Sequence, residues 1–196
     1  MSWLFPIDHE VIGVSWDSMS FKNIDINHLV EIPCGNHVGA FGTERRHDVH
    51  KGVDLYCPIN TEVFTVEPGE VVDIRWFTGE KANPDWHFWH NTMAISVEGE
   101  TGVVVYGEIL VDGRLKVGDV LEQGESVGRV VRVLKKDKGR PTSMLHFALH
   151  QHGVLNNGRW DIGKPQPTGL IDPTNRLIAS VWEDEFAKNA LKRVKK

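Results

Sequence analysis

The chain has 196 residues, with 22 Lys and Arg against 27 Asp and Glu, a formal balance of −5. That length suits one domain with terminal extensions and lets a chain hide roughly 70% of its unfolded surface. The mild acidity argues against a nucleic-acid binder, which needs a basic face, and no apolar run approaches a membrane-spanning helix.

The opening MSWLFPIDHEVIGVSW has no basic n-region and meets an acid at Asp8, so it does not read as a signal peptide. A cytoplasmic or a phage- or virion-associated chain fits that start better than a classically secreted one. Residues 1–35 show no repeat and read as an extension packed on the core. From Thr61 the pattern is all-β. EVFTVEPGEVVDIRWF is a strand, a turn at Pro68-Gly69 and a second strand. Met93 to Val97 and Val103 to Gly107 are two more strands, joined by a turn from Glu98 to Gly102. Gly118, Gly124 and Gly128 then punctuate short valine-rich runs. Turns recurring every few residues predict a small barrel or sandwich of mostly antiparallel strands, with short terminal extensions.

Helix is expected in two places. Thr174 to Leu177 follows Asp172-Pro173, and residues 180–196 read as a basic, amphipathic C-terminal helix or tail. The two cysteines, Cys34 and Cys57, form no CxxC pair and read as reduced, partly buried thiols, with one disulfide between them as the alternative. The segment TGEKANPDWHFWHN, Thr78 to Asn91, carries Trp86, Phe88 and Trp89 between two strands. It is expected either to wall a cleft or to fill an apolar corner.

Two constellations carry chemistry. His50 and Asp54 stand four residues apart, with Gly52 between them to let an extended chain curl, and can share one metal ion. In Met144 to His152, Leu145, Phe147 and Leu149 alternate with Met144, His146, Ala148 and His150, the period-two pattern of a strand. His146 can then meet His50 and Asp54 around one zinc with a fourth position open, a hydrolytic rather than a closed structural arrangement. His150 falls roughly 13 Å along the strand, too far to share the ion. His47, His87, His90 and His152 read as surface, wall or supporting residues. A lipoyl- or biotinyl-type carrier is disfavoured because no hairpin lysine of that kind is evident.

In order and spacing, FGTERRHDVHKGVDL, VEPGEVV, VVVYGEIL, LKVGDVLEQGESVGRVV, SMLHFAL and LIDPTNRL resemble the LytM/lysostaphin-type zinc peptidases. The resemblance runs from about Phe41 to Leu177, within a peptidase-like unit placed at residues 36–179. It implies a barrel-sandwich hybrid fold, zinc held by His50, Asp54 and His146, and a glycine-rich or peptidoglycan-type peptide substrate. This chain departs from the family where a histidine usually follows the Tyr-Gly pair, which here is Glu108, and where HxH usually begins, which here is Met144. Met144 can neither donate to an oxyanion nor take a proton from water.

Two readings follow from these departures. Glu108 is the general base of a retuned endopeptidase, as a glutamate is in HExxH enzymes. Alternatively the chain keeps metal and groove without catalysis, as a peptide- or cell-wall-binding module or an interaction scaffold. On the strand Val103 to Leu110, Glu108 is expected to share its face with Tyr106, which could support the oxyanion. Trp86 and Trp89 are expected to border the groove as substrate-binding residues.

Overall fold

The computed structural model describes residues 2–9, 11–16, 25–136 and 141–182. The basic stretch 183–196 lies outside the described residues. The strands are β1 (Ile12–Ser15), β2 (Val30–Pro33), β3 (Val53–Tyr56), β4 (Glu62–Phe64), β5 (Gly69–Thr78) and β6 (Thr92–Gly99). They continue as β7 (Gly102–Val111), β8 (Val120–Leu121), β9 (Ser126–Val130), β10 (Met144–His150) and β11 (Leu170–Ile171). Among the described residues there is one helix, α1, over residues 174–182. Asp172 Oδ1 accepts the Thr174 N–H at 2.9 Å and Pro173 stands in the first turn, so the chain enters α1 with a carboxylate cap. No helix among the described residues is long and apolar enough to cross a membrane.

The fold is all-β. Nine strands form one antiparallel sheet in the order β11-β10-β7-β6-β5-β8, with β3 paired to β10, and β9 paired to both β4 and β7. The sheet does not close into a barrel. Instead β7 changes partner along its length, pairing β10 through Val103 to Gly107 and β9 through Ile109 to Val111. Between those halves the β6–β7 register slips, because Met93 faces Ile109 while Ala94 faces Gly107. Glu108 is the extra residue of that bulge, with φ +65°.

One face of the sheet is the main core. Leu145, Phe147 and Leu149 of β10, Val53 and Leu55 of β3, and Ile95 and Val97 of β6 all lie in it, each at most 2% exposed. The early residues join them. Trp3, Phe5 and Ile7 are buried in the same core, and the Trp3 ring stands edge-on to Phe147 at 5.5 Å. Trp3 Nε1–H donates to Glu67, a buried carboxylate that also accepts from the Thr101 N–H and hydroxyl. β1 and β2 add a separate two-stranded parallel pair. Cys34 and Cys57 are free and buried.

Tyr106 belongs to this core, which corrects its expected place at the groove. It is 1% exposed, its ring meets Phe147 edge-on at 5.5 Å, and its hydroxyl accepts the Val66 N–H at 2.9 Å. The bulge is the reason. Val104 and Tyr106 point to the core before it, and Ile109 and Val111 do so after it. An inserted residue therefore switches the strand's parity, and a strict two-residue count across it fails. Tyr106→Phe is expected to leave metal uptake unchanged and to cost about 1–3 kcal/mol in urea denaturation, because the buried Val66 N–H loses its acceptor.

Candidate metal centre

On the opposite face, antiparallel pairing sets side chains in a row across neighbouring strands. Asp54 of β3 pairs with His146 of β10, and His146 pairs in turn with Gly107 of β7. Residues 50–52 run into β3 as an extended bend rather than a helix, which carries His50 back over the row. Three atoms converge there. His50 Nε2 lies 3.2 Å from His146 Nδ1 and 3.1 Å from Asp54 Oδ1, and His146 Nδ1 is 2.9 Å from that same oxygen. Asp54 and His50 are each 4% exposed, so the cluster is shielded from solvent.

Three successive carbonyls of the preceding loop hold these groups. Val38 O accepts from Arg45, Gly39 O accepts the Asp54 N–H at 2.9 Å, and Ala40 O accepts from His50 Nδ1 at 3.0 Å. The last bond matters chemically. A carbonyl can only accept, so Nδ1 carries a hydrogen and Nε2 is the ring atom left facing Asp54 and His146. Burial pushes His146 down to about 4, so this ring is neutral near pH 7. Burial alone would raise Asp54, but the adjacent His50, the Arg45 guanidinium and the two imidazole hydrogen bonds outweigh it. The carboxyl is held well below the usual range.

Two ring nitrogens and one carboxylate oxygen brought to one point suit a cation. Tetrahedral zinc with bonds of about 2.0–2.1 Å separates its ligands by roughly 3.3 Å, close to the spacings found here. The donor set fits zinc.

Close packing makes the arrangement depend on glycine. A Cβ on Gly52 would lie 2.6 Å from the Phe147 carbonyl oxygen and 2.8 Å from His146 Cε1 and Nε2. A Cβ on Gly107 would lie 2.7 Å from the Phe77 ring, which packs beside His146 at a centroid distance of 5.2 Å. Gly52→Ala is therefore expected to displace the His146 ring or open the β3–β10 pairing. The cost is about 1–3 kcal/mol of stability, accompanied by weaker zinc uptake in a calorimetric titration.

Glu108 stands one residue beyond Gly107, half-buried, and its charge acts on the same Arg45 guanidinium that binds Asp54. Its left-handed backbone costs about 1–3 kcal/mol in a non-glycine residue, a strain that collects at functional positions. Met144 is buried beside His146 on the same strand face and packs with Tyr56 and Val133. Trp89 packs on that cluster, and Trp86 meets Trp89 edge-on at 5.4 Å, one ring further out. His150 shares the His146 face but spends Nδ1 on the Val154 carbonyl, while His152 meets Glu98. His47, His87 and His90 are exposed. Arg45 is the site residue that sequence reading missed, since nothing in Glu44-Arg45-Arg46 distinguishes it from a solvated charge cluster.

The family model described as Peptidase family M23 matches residues 48–158, more than half of the chain. The chain belongs to peptidase family M23. The matched span of this M23 chain contains His50, Asp54, Glu108 and His146. Among solved structures it is similar to the catalytic domain of the antimicrobial peptidase lysostaphin from Staphylococcus simulans. That match has 20% identity over 71% of this chain and 86% of that one, with a TM-score of 0.47. The catalytic domain of the prophage-encoded M23 protein EnpA from Enterococcus faecalis matches at 20% identity, over 64% and 88% of the two chains, with a TM-score of 0.45. Helicobacter pylori Csd3 matches at 15% identity over 99% of this chain and 43% of its own, with a TM-score of 0.44. A comparison with curated proteins finds no match.

Proposed function

We propose that this M23 chain is a zinc-dependent endopeptidase acting on glycine-rich or peptidoglycan-type peptides. His50, Asp54 and His146 are its metal ligands and Glu108 its general base. The observation that carries the reading is the convergence of His50 Nε2, Asp54 Oδ1 and His146 Nδ1 within 2.9–3.2 Å of one another. The substrate class follows the resemblance of the motifs to lysostaphin-type peptidases.

Zinc in such a site supplies a Lewis acid for a peptide carbonyl and lowers the pKa of water. The protein's own part is positional and protonic. Ala40 O and Gly39 O hold His50 and Asp54 in place, and Phe77 and Gly52 confine the His146 ring. Glu108 takes a proton from the attacking water onto its carboxylate and returns it to the departing amide nitrogen. Met144 contributes only packing. Trp89 and Trp86 give the groove an aromatic border on the Met144 side.

The test is elemental analysis of the purified chain, followed by cleavage assays on oligoglycine and peptidoglycan peptides with and without chelator. One zinc per chain and chelator-sensitive cleavage are expected. Zinc without cleavage would leave a metal-containing peptide- or cell-wall-binding module or scaffold.

A further inference from the structure

The two carboxylate oxygens of Asp54 face different partners. Oδ1 turns to His50 Nε2 and His146 Nδ1, at 3.1 and 2.9 Å. Oδ2 accepts a 2.5 Å hydrogen bond from Arg45 Nη2. The Asp54 side chain is 5% exposed, so water hardly competes for Oδ2. Arg45 is tethered in turn, with Nε and Nη2 both donating to Val38 O at 3.2 and 3.0 Å. The next carbonyl, Gly39 O, accepts the Asp54 N–H at 2.9 Å. One stretch of chain thus anchors both the backbone that carries the carboxylate and the guanidinium that grips its far oxygen. Rotating Asp54 to offer both oxygens to the histidines would break the Arg45 bond inside a buried site, and a charge-assisted hydrogen bond of that kind is among the stronger ones.

This has a consequence for a bound ion. A carboxylate can ligate through one oxygen or two, and beside two nitrogens, the first oxygen and a water the second oxygen would be a fifth donor, filling the position into which a catalytic zinc expands to take its substrate. We propose that Arg45 is a positioning residue that restricts Asp54 to a single ligating oxygen and so preserves an open coordination position. The proposal rests on the reading of His50, Asp54 and His146 as metal ligands. Phe147, Gly107 and the other neighbours of His146 leave this task to Arg45, because among the described contacts it is the cation that grips Oδ2.

Cobalt substitution tests it, because four-coordinate cobalt(II) absorbs visible light much more strongly than five-coordinate cobalt. The wild-type cobalt protein should show the intense four-coordinate bands. Arg45→Met keeps the aliphatic stem but removes every donor, and should convert the spectrum to the weaker five-coordinate form. Arg45→Lys restores a cationic donor and should return it toward wild type. A purely structural ion pair would leave all three spectra superimposable, which would overturn the proposal while the ligand reading stands. If Arg45→Met fails to fold, X-ray absorption on the wild-type zinc protein decides. A one-oxygen carboxylate is expected, and a two-oxygen carboxylate overturns the proposal. A wild type that takes up neither zinc nor cobalt overturns the ligand reading itself, and the role of Arg45 falls with it.

Discussion

His146→Ala is expected to weaken zinc binding by roughly a hundredfold or more and to remove chelator-sensitive hydrolysis while the sheet stays folded. Structural zinc sites contribute about 10–16 kcal/mol of apparent binding across their ligands, so removing one of three protein ligands costs at least about 3 kcal/mol. That corresponds to a loss of affinity of roughly a hundredfold or more. The fold should survive because the Leu145, Phe147 and Leu149 side of β10 is untouched and carries that strand's share of the main core. The lost ring leaves a gap beside Phe77 and Gly52, a cost expected in the range of a few kcal/mol at most. Dialysis against zinc with elemental analysis, beside a thermal melt of the metal-free proteins, separates the two effects. A variant that keeps full zinc occupancy would remove His146 from the ligand set.

Glu108→Gln is expected to lower the rate of peptide cleavage by about 10² to 10⁴ while zinc occupancy stays unchanged. Glutamine keeps the shape and the left-handed backbone position, and Glu108 is not one of the three converging ligands. Rate and metal content should therefore separate, which a loss of folding would not allow. Met144→His works in the opposite direction. It sets a hydrogen-bond donor beside His146, where Met144 now packs with Tyr56 and Val133, and should raise activity if the groove accepts the ring. A decisive combination is Glu108→His with Met144→His. If wild type binds zinc and cleaves nothing, and this double variant gains cleavage, the natural chain is a binder and Glu108 is not its base.

Much of the fold was legible because strands announce themselves locally. The valine-rich runs at Met93 to Val97 and Val103 to Gly107 lie within β6 and β7, and the alternation in Met144 to His150 became β10 with Leu145, Phe147 and Leu149 inward. α1 continues past the expected Thr174 to Leu177 through residue 182, because nothing in that stretch breaks a helix once Asp172 caps it. The grouping of His50, Asp54 and His146 was equally accessible. Gly52 between the first two and the strand period around the third leave few other ways to bring those side chains together.

The chain by itself thus determined an all-β fold, membership of the M23 family and the identities of three side chains that meet. Each of these depends on short-range pattern or on motif spacing. Tertiary structure decided that the two-residue count from Tyr106 to Glu108 fails, because the bulge at Glu108 exists only where β7 hands over from β10 to β9. No local propensity marks such an inserted residue, yet it reverses the parity of every position beyond it. Tertiary structure also decided the surroundings of the carboxylate. Arg45 reaches Asp54, and the carbonyls of Val38, Gly39 and Ala40 each take up a different donor, because the loop is laid against β3 by long-range packing. Hydrogen-bond geometry of that kind is set by where two segments cross in space, and a one-dimensional pattern carries no record of the crossing.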